Sequence, residues 1–336
     1  MNAPHLAPTP ETPGRGAALL SDLFALAIRA LAFTGRSVPS VRRRLKRLRC
    51  ARNLSYGPHG RRNLLDIYRP VDPPPGPQPT VLYFHGGGFR VLSKETHWSL
   101  ALRFVERGYT VVVPNYRRAK EARCPAAHED AARALEWCLD HAEREAFDPE
   151  HFILAGESAG GNLCLAITLL CLESGPTPWA RRLFERGWSP AAQLPACPFA
   201  QVVAPERYEG QLRPLYYNRI RFLSHCYLSG EGTPEIDALA EPLLRLESPE
   251  PLSRPLPPTF LSVGGRDPIL NDSERCAVAL RERGASLRYF VAPNGHHAFQ
   301  ASLWGPSASL CWAETWSFLA EHKLLPEKNP DDPKGL

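Results

Sequence analysis

The sequence predicts a doubly wound α/β domain, and three observations carry that prediction. Short apolar runs recur along the chain, at residues 81–84, 111–113, 152–155, 194–199, 259–263 and 287–291, the first of them wholly apolar. Segments of helical periodicity lie between most of them, at about 95–107, 128–145, 158–173 and 273–283, with a last one at 307–322. Glycine-rich and chemistry-bearing residues fall immediately after several of the runs. A strand that is apolar on both faces belongs to a parallel sheet covered by helices on both sides. The alternation therefore predicts a layered domain whose chemistry lies at the carboxyl ends of the strands.

Each element follows in chain order. Residues 1–16 are rich in Pro and Thr and lack a basic start, so they read as a disordered tail without a secretory signal. The stretch 17–33 is apolar but about seventeen residues long, short of the ~20 a membrane span requires. It carries Asp22 and Arg29 seven residues apart, on one face of a helix with Ala25 between them. That spacing predicts an amphipathic helix packed on the domain and no integral membrane span. Peripheral membrane contact is the alternative. The basic run from Arg42 to Arg49 reads as a solvated helix face with Leu45 and Leu48 turned inward. Contact with an anionic surface or with nucleic acid is the other reading, but no nucleic-acid motif accompanies the run. Residues 63–68 read as an early strand and 70–79 as a rigid loop. The expected organisation is a tail at 1–16, an N-terminal helical segment at 17–52, a catalytic domain at 53–325 and a disordered tail at 326–336.

Composition fits this outline. Of 336 residues, 43% are hydrophobic and 22% charged, the balance of a soluble globular chain and not of a disordered one. Many of the 35 prolines sit in loops, at 73–79, 249–258 and 324–333, where they stiffen connections. The nine cysteines are odd in number and scattered, without a CxxC pair, which argues against a disulfide framework or a zinc site. A reducing cytoplasm suits them.

Four segments carry chemistry. Gly156-Glu157-Ser158-Ala159-Gly160 follows the 152–155 run and opens a helix. A strand-to-helix turn this tight needs nearly bare flanking positions and lifts the serine hydroxyl clear of the sheet, making Ser158 a candidate nucleophile. His85-Gly86-Gly87-Gly88-Phe89 follows the 81–84 run. Its glycines let the backbone approach a ligand and aim N–H groups at it. Acyl transfer needs such donors where charge collects on the carbonyl oxygen, so the amides of Gly86, Gly87 and Ala159 are the expected oxyanion hole. Asp267 follows the 259–263 run and His297 follows the 287–291 run, with one helix and one strand between them. The order Ser, Asp, His, each behind a strand, predicts a triad. In it His297 moves the proton and Asp267 fixes the imidazole tautomer. Asp272 lies in the same loop as Asp267 and stays open as the acid. His296 adjoins His297.

On these segments the chain resembles the hormone-sensitive-lipase-like family of carboxylesterases and lipases, which has the α/β-hydrolase fold. The matching residues are 85–89, Asn115-Tyr116-Arg117 followed by Pro125-Ala126-Ala127 and Asp130, 156–162, Asp267-Pro268 and His297-Ala298-Phe299, within roughly residues 60–300. Departures are Glu157 where Asp is more usual, Ile269 for Leu and Ala298 for Gly. The resemblance implies a mostly parallel eight-stranded sheet covered by helices on both faces. It also implies a helical cap made of the N-terminal segment and an insertion at roughly 205–240. It favours His297 over His296, because the family's histidine lies two residues before the phenylalanine. The pocket is expected to use Phe89, Trp98, Phe199, Tyr217, Phe222 and Phe299. The implied substrate is a small-molecule ester of short to medium chain length, cleaved through an acyl-enzyme. Cleavage of an amide, lactone or formamide, or ligand binding without turnover, are the alternatives. No motif implies a cofactor or a metal, and oligomeric state has no signature in the sequence.

Overall fold

The computed structural model describes residues 15–228 and 233–326. Its centre is one eight-stranded sheet of order β1-β2-β4-β3-β5-β6-β7-β8. The strands are β1 (Leu48–Ser55), β2 (Leu64–Pro70), β3 (Gln78–Phe84), β4 (Thr110–Pro114), β5 (Phe147–Glu157), β6 (Ala192–Ala196), β7 (Thr259–Gly264) and β8 (Leu287–Ala292). β1 and β2 pair antiparallel, and β2 pairs antiparallel with β4. From β4 through β8 every pairing is parallel. Each apolar run of the sequence thus lies in, or ends just beyond, one strand of a mostly parallel sheet.

Side-chain alternation divides the core into two layers. Leu82, Phe84, Val112, Phe152 and Leu154 face one side, against α4 (Ala126–Asp140), α5 (Ala159–Leu172) and α6 (Pro178–Glu185). Val81, Tyr83, Val111, Val113, Ile153 and Ala155 face the other, against α3 (Trp98–Val105) and α11 (Pro306–Glu321). This is the period of two required of a strand buried on both faces. All fourteen residues of α5 are buried, as expected of a helix apolar all round. β8 is only half-buried, because it is the edge.

Two expectations about the N-terminal region change. The basic run is not one helix face: α2 (Pro39–Leu45) ends inside it, and Leu48 already begins β1. Strand β1 escaped the sequence reading because its arginines mask the pattern; it is an edge strand, exposed at most positions, so nothing forces it to be apolar. The N-terminal helix α1 (Arg15–Gly35) has 21 residues, four more than the apolar stretch suggests. By length and composition it is long enough to cross a membrane, which removes the length argument against a span. It touches the domain by a narrow stripe rather than a broad apolar face: Ala25 and Ile28 pack on Val91 and Leu92. Asp22 reaches Arg90 and Lys120 at 2.7 Å each.

The insertion expected at 205–240 contains α7 (Pro214–Leu228), which contacts α1, and the short α8 (Pro234–Asp237). Residues 229–232 within it lie outside the described residues, as do both expected tails apart from Arg15 and Gly16, which open α1, and Pro326. Two further helices, α9 (Pro242–Glu247) and α10 (Leu270–Glu282), pack on each other beside β7 and β8.

Candidate active site

Ser158 stands at the turn between β5 and α5 with φ +57° and ψ −119°, a left-handed backbone that side chains rarely adopt. The turn holds because its surroundings over-determine it. The Ser158 amide donates to the Ala196 carbonyl and its own carbonyl accepts from the amides of Asn162 and Phe199, all at 3.0 Å. At Gly160 a Cβ would lie 2.0 Å from the Phe84 carbonyl oxygen, so only glycine fits the approach of β3. Between Phe152 and Leu172, Ser158 alone is not buried. A strained turn that exposes one hydroxyl at a helix N-terminus is suited to nucleophilic attack.

Asp267 and His297 come together from consecutive strands. Their loops follow β7 and β8, and the Arg266 amide donates to the Gly295 carbonyl at 3.0 Å, fastening one loop to the other. His297 Nδ1 lies 3.0 and 2.9 Å from the two oxygens of Asp267. Asp267 is itself steadied by the Ile269 amide at 3.0 Å. The alternatives occupy other positions. Asp272 is fully buried and taken up by the Gln201 amide at 3.1 Å, Arg207 at 2.9 Å and the Tyr208 hydroxyl at 2.5 Å. His296 is exposed.

One residue in this cluster was not foreseen. Cys197 follows β6, which lies between the strands of Ser158 and Asp267, and its sulfur, an Asp267 oxygen and a His297 nitrogen lie within 4.8 Å of one another. The thiol is fully buried, on a backbone of φ +36°. Burial works against a charged His297, but Cys197 and the Asp267 carboxylate outweigh it and hold the imidazole well above the usual histidine range. A signal was available: Cys197 follows an apolar run on the edge where chemistry collects.

The glycine loop departs from expectation at its first amide. Gly86 donates to Glu157 Oε1 at 2.5 Å, so this N–H already has a partner within the protein. The same carboxylate accepts from the Tyr83 hydroxyl at 2.5 Å and lies 2.6 Å from His97 Nε2. His97 Nδ1 faces the Ser93 carbonyl at 2.9 Å. The Thr96 hydroxyl lies at 2.9 Å from the same nitrogen, and the carboxylate at Nε2 favours the charged, doubly protonated ring. Burial opposes that charge, yet Glu157 raises the His97 pKa above its ordinary value. Glu157 therefore binds the glycine loop to the serine turn. Among the described residues the amides of Gly87, Gly88 and Ala159 have no protein partner. Gly88 has φ +59°, and its α-carbon is roofed by Leu223 of α7. His85 is buried, stacked on Tyr116 at 4.2 Å and held well below the usual histidine range by burial and by His97. It braces the loop.

The aromatic candidates separate. Phe89 is fully buried and stacked on Tyr227 at 3.9 Å, leaving no surface to meet a ligand. Trp98 is equally withdrawn: its indole N–H donates to the Ala32 carbonyl at 3.0 Å and Arg36 covers its ring, so it anchors α1. Both are core residues, because large rings beside a crowded loop bury more surface inward. Phe199 follows Ser158's partner segment and is buried, and Phe222 is buried against Arg90. Tyr217 and Phe299 are half-buried.

Comparison with known proteins agrees with this layout. A family model described as the alpha/beta hydrolase fold matches residues 81–301. Esterase LipQ of Mycobacterium tuberculosis is 30% identical over 254 residues, which is 74% of this chain and 56% of that protein. The chain therefore spans little more than half the length of this relative. Carboxylesterase NlhH of the same species is 28% identical over 66% of each chain. Among solved structures, a bacterial heroin esterase superposes with a TM-score of 0.73 at 22% identity, over 96% of both chains. An esterase of Pyrobaculum calidifontis gives 0.71 at 22% identity, over 94% of this chain and 96% of that one.

Proposed function

We propose, for a chain that belongs to the hormone-sensitive-lipase-like α/β hydrolases, a serine carboxylesterase activity that runs through an acyl-enzyme. The observation that carries the reading is the Asp267–His297 pair, formed on the same sheet edge as the strained Ser158 turn. Ser158 Oγ attacks the ester carbonyl while His297 Nε2 takes its proton. Asp267 holds the Nδ1 proton and stabilises the imidazolium. Charge on the carbonyl oxygen is met by the unpartnered amides of Gly87, Gly88 and Ala159. The tetrahedral centre expels the alcohol, protonated by His297. Water activated by the same histidine then releases the acid and restores Ser158.

Helices α1 and α7 act as the cap, with Leu223 lying against the glycine loop. A roof so close to the oxyanion donors favours short and medium acyl groups. Tyr217 and Phe299, half-buried, supply its apolar walls. Nine free thiols suit a reducing compartment.

Hydrolysis of p-nitrophenyl esters from acetate to palmitate, compared with Ser158→Ala, tests this reading. The expected result is turnover with an optimum at short chains that is lost in the variant. Turnover that survives Ser158→Ala would refute the nucleophile, and cleavage of amides or lactones but not esters would refute the bond.

A further inference from the structure

Helix α1 is amphipathic the wrong way round for a helix that serves only to cover a core. Its large apolar residues point to solvent: Leu19, Leu26, Leu31 and Phe33 are 61%, 62%, 67% and 78% exposed, and Leu20 and Leu23 are exposed beside them. Its one acid, Asp22, is turned to the domain and neutralised by Arg90 and Lys120. The apolar face continues onto the first turn of α7, where Leu215 and Tyr216 are exposed and Arg219 covers the Phe24 ring at 4.2 Å. An apolar patch of this extent on a soluble chain marks an interaction surface.

Charge decides what fits it. From Arg15 to Arg49 the sequence has nine basic residues against the single acid Asp22, and α7 has no acid. Arg42, Arg43, Lys46, Arg47 and Arg49, next after α1, are exposed. Two such faces would repel each other, which disfavours a second copy of this chain. An exposed apolar helix followed in the chain by an exposed basic run matches instead the acyl boundary and headgroups of an anionic bilayer.

We propose that α1, with the first turn of α7, docks the protein on the surface of anionic membranes, the apolar face entering the headgroup boundary. Docking does not depend on the proposed esterase chemistry. It would set the glycine loop, reached from α1 through Arg90, Val91 and Leu92, close to the lipid phase.

The test is flotation of the full-length chain with vesicles of phosphatidylcholine alone and of phosphatidylcholine with phosphatidylglycerol. The protein is expected to float with the anionic vesicles, less with the neutral ones, and to be partly released by salt. Leu19→Gln/Leu23→Gln/Leu26→Gln, along one stripe of the helix, should lower partitioning by about tenfold or more with an unchanged near-ultraviolet circular dichroism spectrum. If that variant misfolds, Phe33→Ser at the most exposed position serves instead. Equal flotation of variant and parent, or no flotation at either composition, overturns the proposal. So does carbonate-resistant insertion, which would mean a spanning helix, or a dimer in sedimentation that the same substitutions dissolve.

Discussion

Replacing Glu157 by Gln isolates the contribution of the buried carboxylate that joins the glycine loop to the serine turn. Its three partners, the Gly86 amide, the Tyr83 hydroxyl and His97 Nε2, all donate to it. An amide offers one acceptor oxygen and presents two donors where a carboxylate had only oxygens. Tyr83 and His97 can partly adapt, the first by rotating its hydroxyl and the second by losing a proton. At least one donor then stays unsatisfied, costing about 1–3 kcal/mol, and the buried ion pair with His97 is lost as well. A total near 3 kcal/mol is a substantial part of the ~5–15 kcal/mol available to a domain. With an unfolding entropy of about 2.1 cal/mol/K per residue, a chain of 336 residues loses about 4 °C in Tm for that amount.

The pH dependence supplies a second readout. His97 has a folded pKa above its unfolded value, so its pairing stabilises fully below about pH 6.5 and is lost as pH rises through the folded pKa. The parent should therefore lose this increment as pH climbs above about 6.5, whereas Glu157→Gln should show a flatter curve. Thermal unfolding followed by circular dichroism between about pH 6 and 9 measures both effects. A Tm within about 1 °C of the parent, together with an unchanged pH slope, would refute the argument that this carboxylate satisfies three donors.

Four further outcomes follow from the same geometry. His297→Ala should lower kcat by about 10³-fold or more, and His296→Ala by little; comparable losses in the two would displace the assignment to His297. The general base must be neutral to act, and its pKa is held high, so kcat/KM should rise with pH and level off only above the usual histidine range. Cys197→Ala should move that limb toward lower pH, and an unmoved limb would show that the thiol does not bear on His297. Asp267→Asn should cut turnover by orders of magnitude with little change in Tm, whereas Asp272→Asn, which weakens the Arg207, Tyr208 and Gln201 contacts, should lower Tm first. Activity and melting curves on both variants decide this, and the reverse ranking would make Asp272 the catalytic acid. Gly160→Ala, which drives a methyl against the Phe84 carbonyl oxygen, should fail to accumulate as folded protein, and a soluble variant with parental Tm would contradict the close approach.

Much of this protein can be read from the sequence because its central strands are buried on both faces. Residues 81–84, 111–113 and 152–155 are apolar at every position, since each side chain enters one of two core layers, and that pattern needs no knowledge of partners. The site motifs are legible for a related reason: a tight turn after such a strand accepts few residues, so glycine at 160 is dictated by local sterics, and a serine held at 158 against its backbone preference stands out. Edge strand β1 was hidden because one side of it meets solvent and its arginines carry no apolar period. The partners of individual groups were decided only by tertiary structure. Nothing near Gly86 in the chain announces that its amide belongs to Glu157, 71 positions away. Nor does the sequence around Cys197 say that it will stand beside Asp267 and His297. Which way α1 turns its leucines was likewise beyond the sequence, because periodicity defines an apolar face but only packing determines whether that face looks inward or out.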